Sequence, residues 1–409
     1  MKKYKYEIII FLLGAIYMIL ELVCSRVLAP YFGTSNLVWT SVIGIILLSS
    51  SVGNYIGGFI ADKNASKKNI QLILGATGIF ILAIALIQKF VLTNIADWLS
   101  DIRIGAIIST ILLFFIPSML IGFLSPIVIK IRMNDLSKVG KTSGILYSVN
   151  TLGSIVGTFL GGFVLIPLLG SIEILYILSI CIFLIMIYVD FKDKESLIFA
   201  IIMIAINIGL FGYLIYSNNI NRQAVLDENS TSVADFDTEY GRVNIQNGIY
   251  SGERVRFLLI DKGNESATFL DEDLRNELVF EYTKFYDLMF DSNIEIKDTL
   301  MIGGAGYSYP KYYISHYEDK NMDVVEVDDR ITEIAKEYFF LDDLYEDYDL
   351  YNNHRLNLIT ADGRSYLNSN TKKYDAILND AFAGDTPAET LTTVEATQRV
   401  KDSFSFRWK

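Results

Sequence analysis

At 409 residues, 52% of them apolar, with a formal net charge of −12, the chain is too long and too apolar for a single small soluble domain. Two cysteines, both inside apolar runs, exclude a disulfide scaffold, and two histidines leave no basis for a His-built metal centre. The acidic balance argues against a nucleic-acid partner, because phosphate contacts require basic surface.

The charge is divided along the chain. Residues 1–220 hold 15 Lys/Arg against 10 Asp/Glu, whereas 221–409 hold 20 against 37. With a mean hydropathy of +0.35, a basic membrane half joined to an acidic soluble half is the simplest reading.

Seven apolar segments, at 8–29, 40–60, 70–91, 104–129, 143–166, 172–189 and 197–216, approach the roughly 20 residues that cross a bilayer. The first is too long, and too poorly supplied with a cleavage-type end, to read as a simple signal peptide, and six more follow it. Lys and Arg favour the cytoplasmic side. Twelve of them (at 2, 3, 5, 63, 67, 68, 130, 132, 138, 141, 192 and 194) stand on one side of the spans, against Lys89 and Arg103 on the other. The N-terminus is therefore predicted to be cytoplasmic. Seven crossings would carry the acidic half outside, against the expectation for a nucleotide ligand, so its side stays open. Gly53 and Gly57, and Gly153, Gly157 and Gly161, recur every four residues and predict close helix packing. Glu21, Asn54 and Asn150 are polar at depth, so either helix–helix contacts or a translocation path would account for them.

The domains predicted are a transmembrane unit over 1–216, a linker over 217–230, a small β unit with a helix over 231–292, and a Rossmann-like unit over 293–409. In the β unit, short alternating runs are separated by turn residues at 247–248, 251–252 and 262–264, and a helix is expected over 271–290.

From 293 onward, four apolar strands alternate with helices, which implies a parallel sheet with ligands at the carboxyl ends of its strands. The first strand ends in Gly303-Gly304-Ala305-Gly306, where glycine lets the backbone approach a ligand. Glu326 ends the second strand, where a carboxylate can accept both hydroxyls of a ribose. Asp362 follows the third and could take an adenine amino group, and Asp380 follows the fourth, where a reacting group would lie. The competing reading is that such acids only cap the next helix. It is preferred for Asp328 and disfavoured for Glu326, Asp362 and Asp380.

These motifs resemble the spermidine synthases, aminopropyltransferases with a methyltransferase-type Rossmann domain behind a small β unit. The resemblance runs from about Thr231 to the end of the chain, and Glu21, Arg26 and Asn150 fit the multi-pass portion of membrane-fused relatives. It implies that Gly303, Gly304, Gly306, Glu326 and Asp362 hold decarboxylated S-adenosylmethionine or S-adenosylmethionine, with no metal. It implies that Asp380 helps deprotonate an attacking amine, under a loop containing Asp385 and Pro387. The expected partners are a lipid bilayer and a small cationic amine, with homo-oligomerisation left open. Several positions depart from the family. Gly306 stands where a loop aspartate is usual, Ala383 replaces a second acid, Ser266 replaces a glutamine, and Tyr282-Thr283 replaces a Tyr-His pair. The sheet is expected to be truncated after four strands. Two alternatives to aminopropyl transfer stay open: an S-adenosylmethionine-dependent methyltransferase, and a non-catalytic polyamine- or nucleotide-binding transporter or sensor.

Overall fold

Among the described residues, seven long helices make up the apolar half: α1 (Lys5–Phe32), α2 (Asn36–Asn64), α3 (Lys67–Trp98), α4 (Ile102–Arg132), α5 (Val139–Leu168), α6 (Ser171–Val189) and α7 (Lys194–Ala224). Each is long and apolar enough to cross a membrane. The computed structural model describes residues 4–99, 101–133, 139–261, 263–291, 294–383 and 386–405. It divides into two units, Met1–Ser217 and Asn218–Lys409.

Within the first unit, glycine sets the pairing. A Cβ on Gly53 or Gly57 would fall 2.3–2.7 Å from the Met119 and Phe123 backbone, and one on Gly153 or Gly157 would fall 2.0–2.4 Å from the Phe11 and Ala15 carbonyls. Residue numbers rise together along both contacts, so α2 packs parallel to α4 and α1 parallel to α5. One turn of π-helix interrupts α4 at Ile111–Phe115 and α5 at Gly161–Leu165. Pro117 and Pro167 follow these turns. Proline lacks the N–H that would bond four residues back, and the preceding turn widens. Asn54 donates its amide to the Ser50 carbonyl of its own helix at 3.0 Å. Its amide N–H thus finds a partner within its own helix.

The second unit begins inside α7. Residues 218–224 are helical and Val225 is fully buried in a core with Ala234 and Phe236. The stretch predicted as a linker is therefore half helix, because an apolar anchor at 225 draws its end into the core. Strands β1 (Val233–Asp237), β2 (Arg242–Tyr250), β3 (Glu253–Ile260) and β4 (Gly263–Phe269) form an antiparallel meander in that order. Ser251 and Gly252, both at positive φ, make the β2–β3 turn. Asn247-Gly248, predicted as a turn, lies inside β2. The Asn247 amide bonds the Val225 and Asp227 carbonyls, and Gly248 leaves room for the Phe257 ring across the ladder.

The helix predicted over 271–290 is broken as well. It appears as a 3-10 turn at Glu272–Leu274, a short α8 (Glu281–Lys284) and a 3-10 segment at Phe285–Asp291. Tertiary bonds explain the break, since the Arg275 carbonyl accepts from Lys311 Nζ at 2.8 Å and from Thr268 Oγ1 at 3.2 Å. A carbonyl held sideways cannot join a helix ladder.

The Rossmann-like part follows the predicted alternation: β5 (Asp298–Ile302), α9 (Ser308–His316), β6 (Asn321–Glu326), α10 (Asp329–Tyr338), α11 (Leu341–Asp347), α12 (Leu350–Asn353), β7 (Leu356–Thr360), α13 (Gly363–Ser369) and β8 (Ala376–Asn379). The four strands are parallel in the order β7-β6-β5-β8. A short hairpin of β9 (Phe382–Ala383) and β10 (Thr386–Pro387) precedes α14 (Val394–Asp402). Beyond α14, Phe404 bridges in parallel to Tyr374.

Candidate functional site

Parallel pairing brings the ends of β5, β6 and β8 to one edge of the sheet. Gly303 carries the chain off β5 at φ 98°, which favours glycine, and its N–H donates to the Val325 carbonyl at 2.9 Å. A Cβ there would also lie 2.4 Å from the Asp380 carbonyl. The loop is thus pressed against the end of β8, with the Asp380 N–H donating to the Ile302 carbonyl at 2.8 Å.

Glu326 fastens this loop. Its Oε2 accepts from the N–H groups of Gly304 at 2.8 Å and Ala305 at 3.1 Å, and its Oε1 accepts from Asp328 N–H at 3.1 Å. The carboxylate is buried. Asp328 caps α10 through the Arg330 N–H at 3.0 Å, the reading preferred for it from sequence. Asp362 also caps a helix, accepting from Ser365 N–H at 2.8 Å at the start of α13. The cap reading, disfavoured for Asp362 from sequence, therefore describes one of its oxygens. Aspartate directly before a helix satisfies a backbone donor whether or not a ligand is near. Tyr240, half exposed in the β1–β2 turn, has its hydroxyl pushed up by burial and then by Glu239, Asp328, Asp362 and Glu326. Its hydroxyl feels the acids that end or follow β6 and β7, and it was not foreseen.

Aromatic rings stand beside Asp380. Asp380, Ser266, Glu265, Phe280, Tyr282 and Tyr309 line one pocket together with Gly304 and Ala305. Burial pushes the Asp380 carboxyl up, and a hydrogen bond donated by the Tyr286 hydroxyl opposes it. Tyr286 packs edge-on against Tyr309 at 5.0 Å, and Tyr309 donates to Asp287 at 2.8 Å. Tyr282 and Tyr286 are four apart, so a helical reading of 271–290 already places them on one face. Tyr286 was nonetheless missed, because its partner Asp380 is 94 residues away. Gly306 lies behind this wall. A Cβ there would meet Ser266 Oγ at 2.6 Å and Phe339 at 3.1 Å. Gly306→Ala is expected to cost about 1–3 kcal/mol of stability. Ser266→Gly should restore part of it, which thermal denaturation of the single and double variants would measure.

Pro387 is exposed in the β9–β10 hairpin, whose Ala388 N–H donates to the Ala381 carbonyl at 3.0 Å. Asp385 lies outside the described residues. The structure thus brings the glycine loop, Glu326 and Asp380 to one edge, with Asp362 one strand further out.

An open parallel sheet with a glycine turn after β5 and an acid at the end of β6 defines a Rossmann-like unit. Residues 285–405 match the family described as Spermine/spermidine synthase domain. The polyamine aminopropyltransferase of Vibrio vulnificus is 33% identical over 109 residues, 26% of this chain and 33% of the relative. That of Clostridium beijerinckii is 26% identical over 158 residues, 39% of this chain and 50% of the relative. The chain thus spans between a third and a half of these relatives' length. Among solved structures, a probable spermidine synthase from Corynebacterium glutamicum aligns with TM-score 0.36 and 20% identity, over 43% of this chain and 61% of that one.

Proposed function

We propose that the second unit binds an adenosyl sulfonium and transfers its aminopropyl group to an amine, and that the first unit anchors it in a membrane. The observation that carries the reading is the convergence of the glycine loop and Asp380. The loop is fastened by Glu326, and the Asp380 N–H bonds the Ile302 carbonyl at 2.8 Å where the loop begins, beside a pocket walled by aromatic rings. Aromatic faces beside a carboxylate suit a cationic amine.

In the reaction, a neutral amine nitrogen attacks the propyl carbon bonded to the sulfonium sulfur. The C–N bond forms as the C–S bond breaks, and its electron pair returns to sulfur, leaving a neutral thioether nucleoside. The amine's surplus proton passes to the Asp380 carboxylate and then to solvent. A carboxyl raised by burial is a better proton acceptor than an ordinary aspartate.

Titration calorimetry of the detergent-solubilised chain with S-adenosyl ligands tests nucleoside binding; no heat at millimolar ligand would sink it. Glu326→Ala is expected to weaken binding by about 100-fold, since it removes the ribose acceptor and releases two loop N–H groups together. An affinity equal to that of the unchanged chain would overturn the role of Glu326. Membrane anchoring rests on the seven apolar helices. Its test is an introduced cysteine in the second unit, after Cys24 and Cys181 are replaced, labelled by an impermeant reagent on intact cells. Protection would support a cytosolic site. Labelling would count against a cytosolic donor.

A further inference from the structure

Glu21 on α1 is a carboxylate that the fold leaves unused. Ion pairs between helices, Glu7–Arg132 at 3.0 Å and Asp62–Lys130 at 2.9 Å, mark one end of the first unit. Counted from Glu7, Glu21 lies about 21 Å further along α1, and it is still about 17 Å short of Phe32 at the other end. A hydrocarbon layer is about 30 Å thick, so the side chain sits at depth. It is half-buried, and among the described residues it forms no hydrogen bond and no ion pair. The groups that feel its charge are Tyr17 and Cys24, both on α1. Neither donates to it. The Tyr17 hydroxyl gives its single hydrogen to the Ile46 carbonyl of α2 at 2.8 Å. The Cys24 thiol is bonded to Thr110 of α4, whose own hydroxyl donates to the Ala106 carbonyl at 2.7 Å, so the thiol hydrogen is directed at Thr110. Charged side chains of the other long helices lie within their end turns, apart from Lys89, which is exposed. Arg26, five residues on, is about 140° around the helix from Glu21. Next to Thr110 in sequence, the fully buried Ser109 hydroxyl has no partner among the described residues, and the π turn of α4 begins at Ile111. Such turns inside α-helices often mark functional sites.

We propose that Glu21 is a reversible proton-binding site within the bilayer, so that the first unit does more than anchor the second. This rests on the reading above that the first unit lies in a membrane. An ionised carboxylate at that depth, facing no donor and no cation, is strongly disfavoured, and a proton from water, bonded to one of its oxygens, removes the charge. Packing does not explain the acid. It bonds to nothing that holds the helices together, and an apolar side chain would fill the place without that penalty. An ionisable group with this profile inside a membrane serves to take up and release a charge. A single carboxylate, with no metal-holding cluster of acids among the described residues, suits a proton, which needs one oxygen, rather than a metal ion, which needs several.

The test places the full chain in phosphatidylcholine vesicles and treats it with dicyclohexylcarbodiimide, an apolar reagent that adds a protonated carboxyl across its C=N bond and leaves an N-acylurea. Mass mapping is expected to find the adduct on Glu21, at least about tenfold weaker at pH 9 than at pH 5. Infrared spectra of the same vesicles should show a carboxylic acid C=O band at pH 5 that fades by pH 9. Glu21→Gln should lack this band and Glu21→Asp should keep it. Methylthioadenosine, the donor nucleoside without its aminopropyl group, should bind Glu21→Gln as it binds the unchanged chain. An adduct and a band that stay constant from pH 5 to 9 would overturn the proposal, by making Glu21 a permanently neutral packing residue. Neither adduct nor band at any pH would overturn it too, since the carboxylate would then stay charged. If the chain does not float with its vesicles, the membrane reading itself fails and this proposal falls with it.

Discussion

Asp380→Asn is expected to lower aminopropyl transfer by about 10²–10⁴-fold while methylthioadenosine still binds with unchanged affinity. The substitution keeps the shape of the side chain and its contact with Tyr286 but removes the proton acceptor. Turnover assays with a decarboxylated donor and an amine, paired with titration of the nucleoside, separate the two effects. Loss of both together would mean that Asp380 supports the loop rather than the chemistry. That alternative is concrete, because the Asp380 backbone bonds Ile302 and lies against Gly303. The pH profile adds a second readout. Burial raises the Asp380 carboxyl, so the acid limb of the rate should lie above the usual carboxylate range. The Tyr286 hydroxyl favours the ionised form, and Tyr286→Phe should move that limb further up. A limb that moves down would exclude Asp380 as the titrating group.

The second large effect concerns stability. Lys311 on α9 is almost fully buried, and its Nζ donates at 2.8 Å to Thr268 Oγ1, the Arg275 carbonyl and the Phe339 carbonyl. Three acceptors match the three hydrogens of an ammonium. They also tie β4, the 271–290 segment and the end of α10 to one point. Lys311→Met fills much of the same space but leaves three buried acceptors short of a donor. At about 1–3 kcal/mol for each buried group left unsatisfied, offset by relief from burying a charge, a net loss of about 3 kcal/mol is expected. Calorimetric melting of the second unit's transition would measure it.

Lys311 also predicts a pH dependence of defined sign. Burial lowers its pKa to about 7, from 10.5 for an exposed lysine. Between these values the unfolded chain binds more protons at this site than the folded one, so this group makes stability rise with pH across that window. Below about 7 both states are protonated and its contribution levels off. Lys311→Met should flatten the rise between pH 7.5 and 9.5. A variant that keeps the full slope would show that other groups cause it.

Much of this protein is legible in its local sequence. Apolar runs of membrane-spanning length mark all seven long helices, because length and hydropathy alone decide whether a helix can avoid water. The four parallel strands and the glycine turn after β5 follow from alternation and from Gly303, whose positive φ is a property of the chain itself. Glu326 and Asp380 are likewise readable, since each ends an apolar strand.

What the sequence leaves open lies where a distant group competes with a local preference. Helical spacing over 271–290 is real, yet the Lys311 ammonium holds the Arg275 carbonyl out of the ladder. Asn247-Gly248 has turn chemistry, but buried carbonyls at 225 and 227 hold the Asn247 amide inside β2. Asp362 reads as a ligand residue and also caps α13, two roles that the same residue type at the same position can fill. Glu265 beside Asp380, and Tyr286 bonded to it, depend on folding β4 and the 3-10 segment across the glycine loop. Contacts between residues about 100 positions apart leave no periodicity to read. Tertiary packing alone decides them.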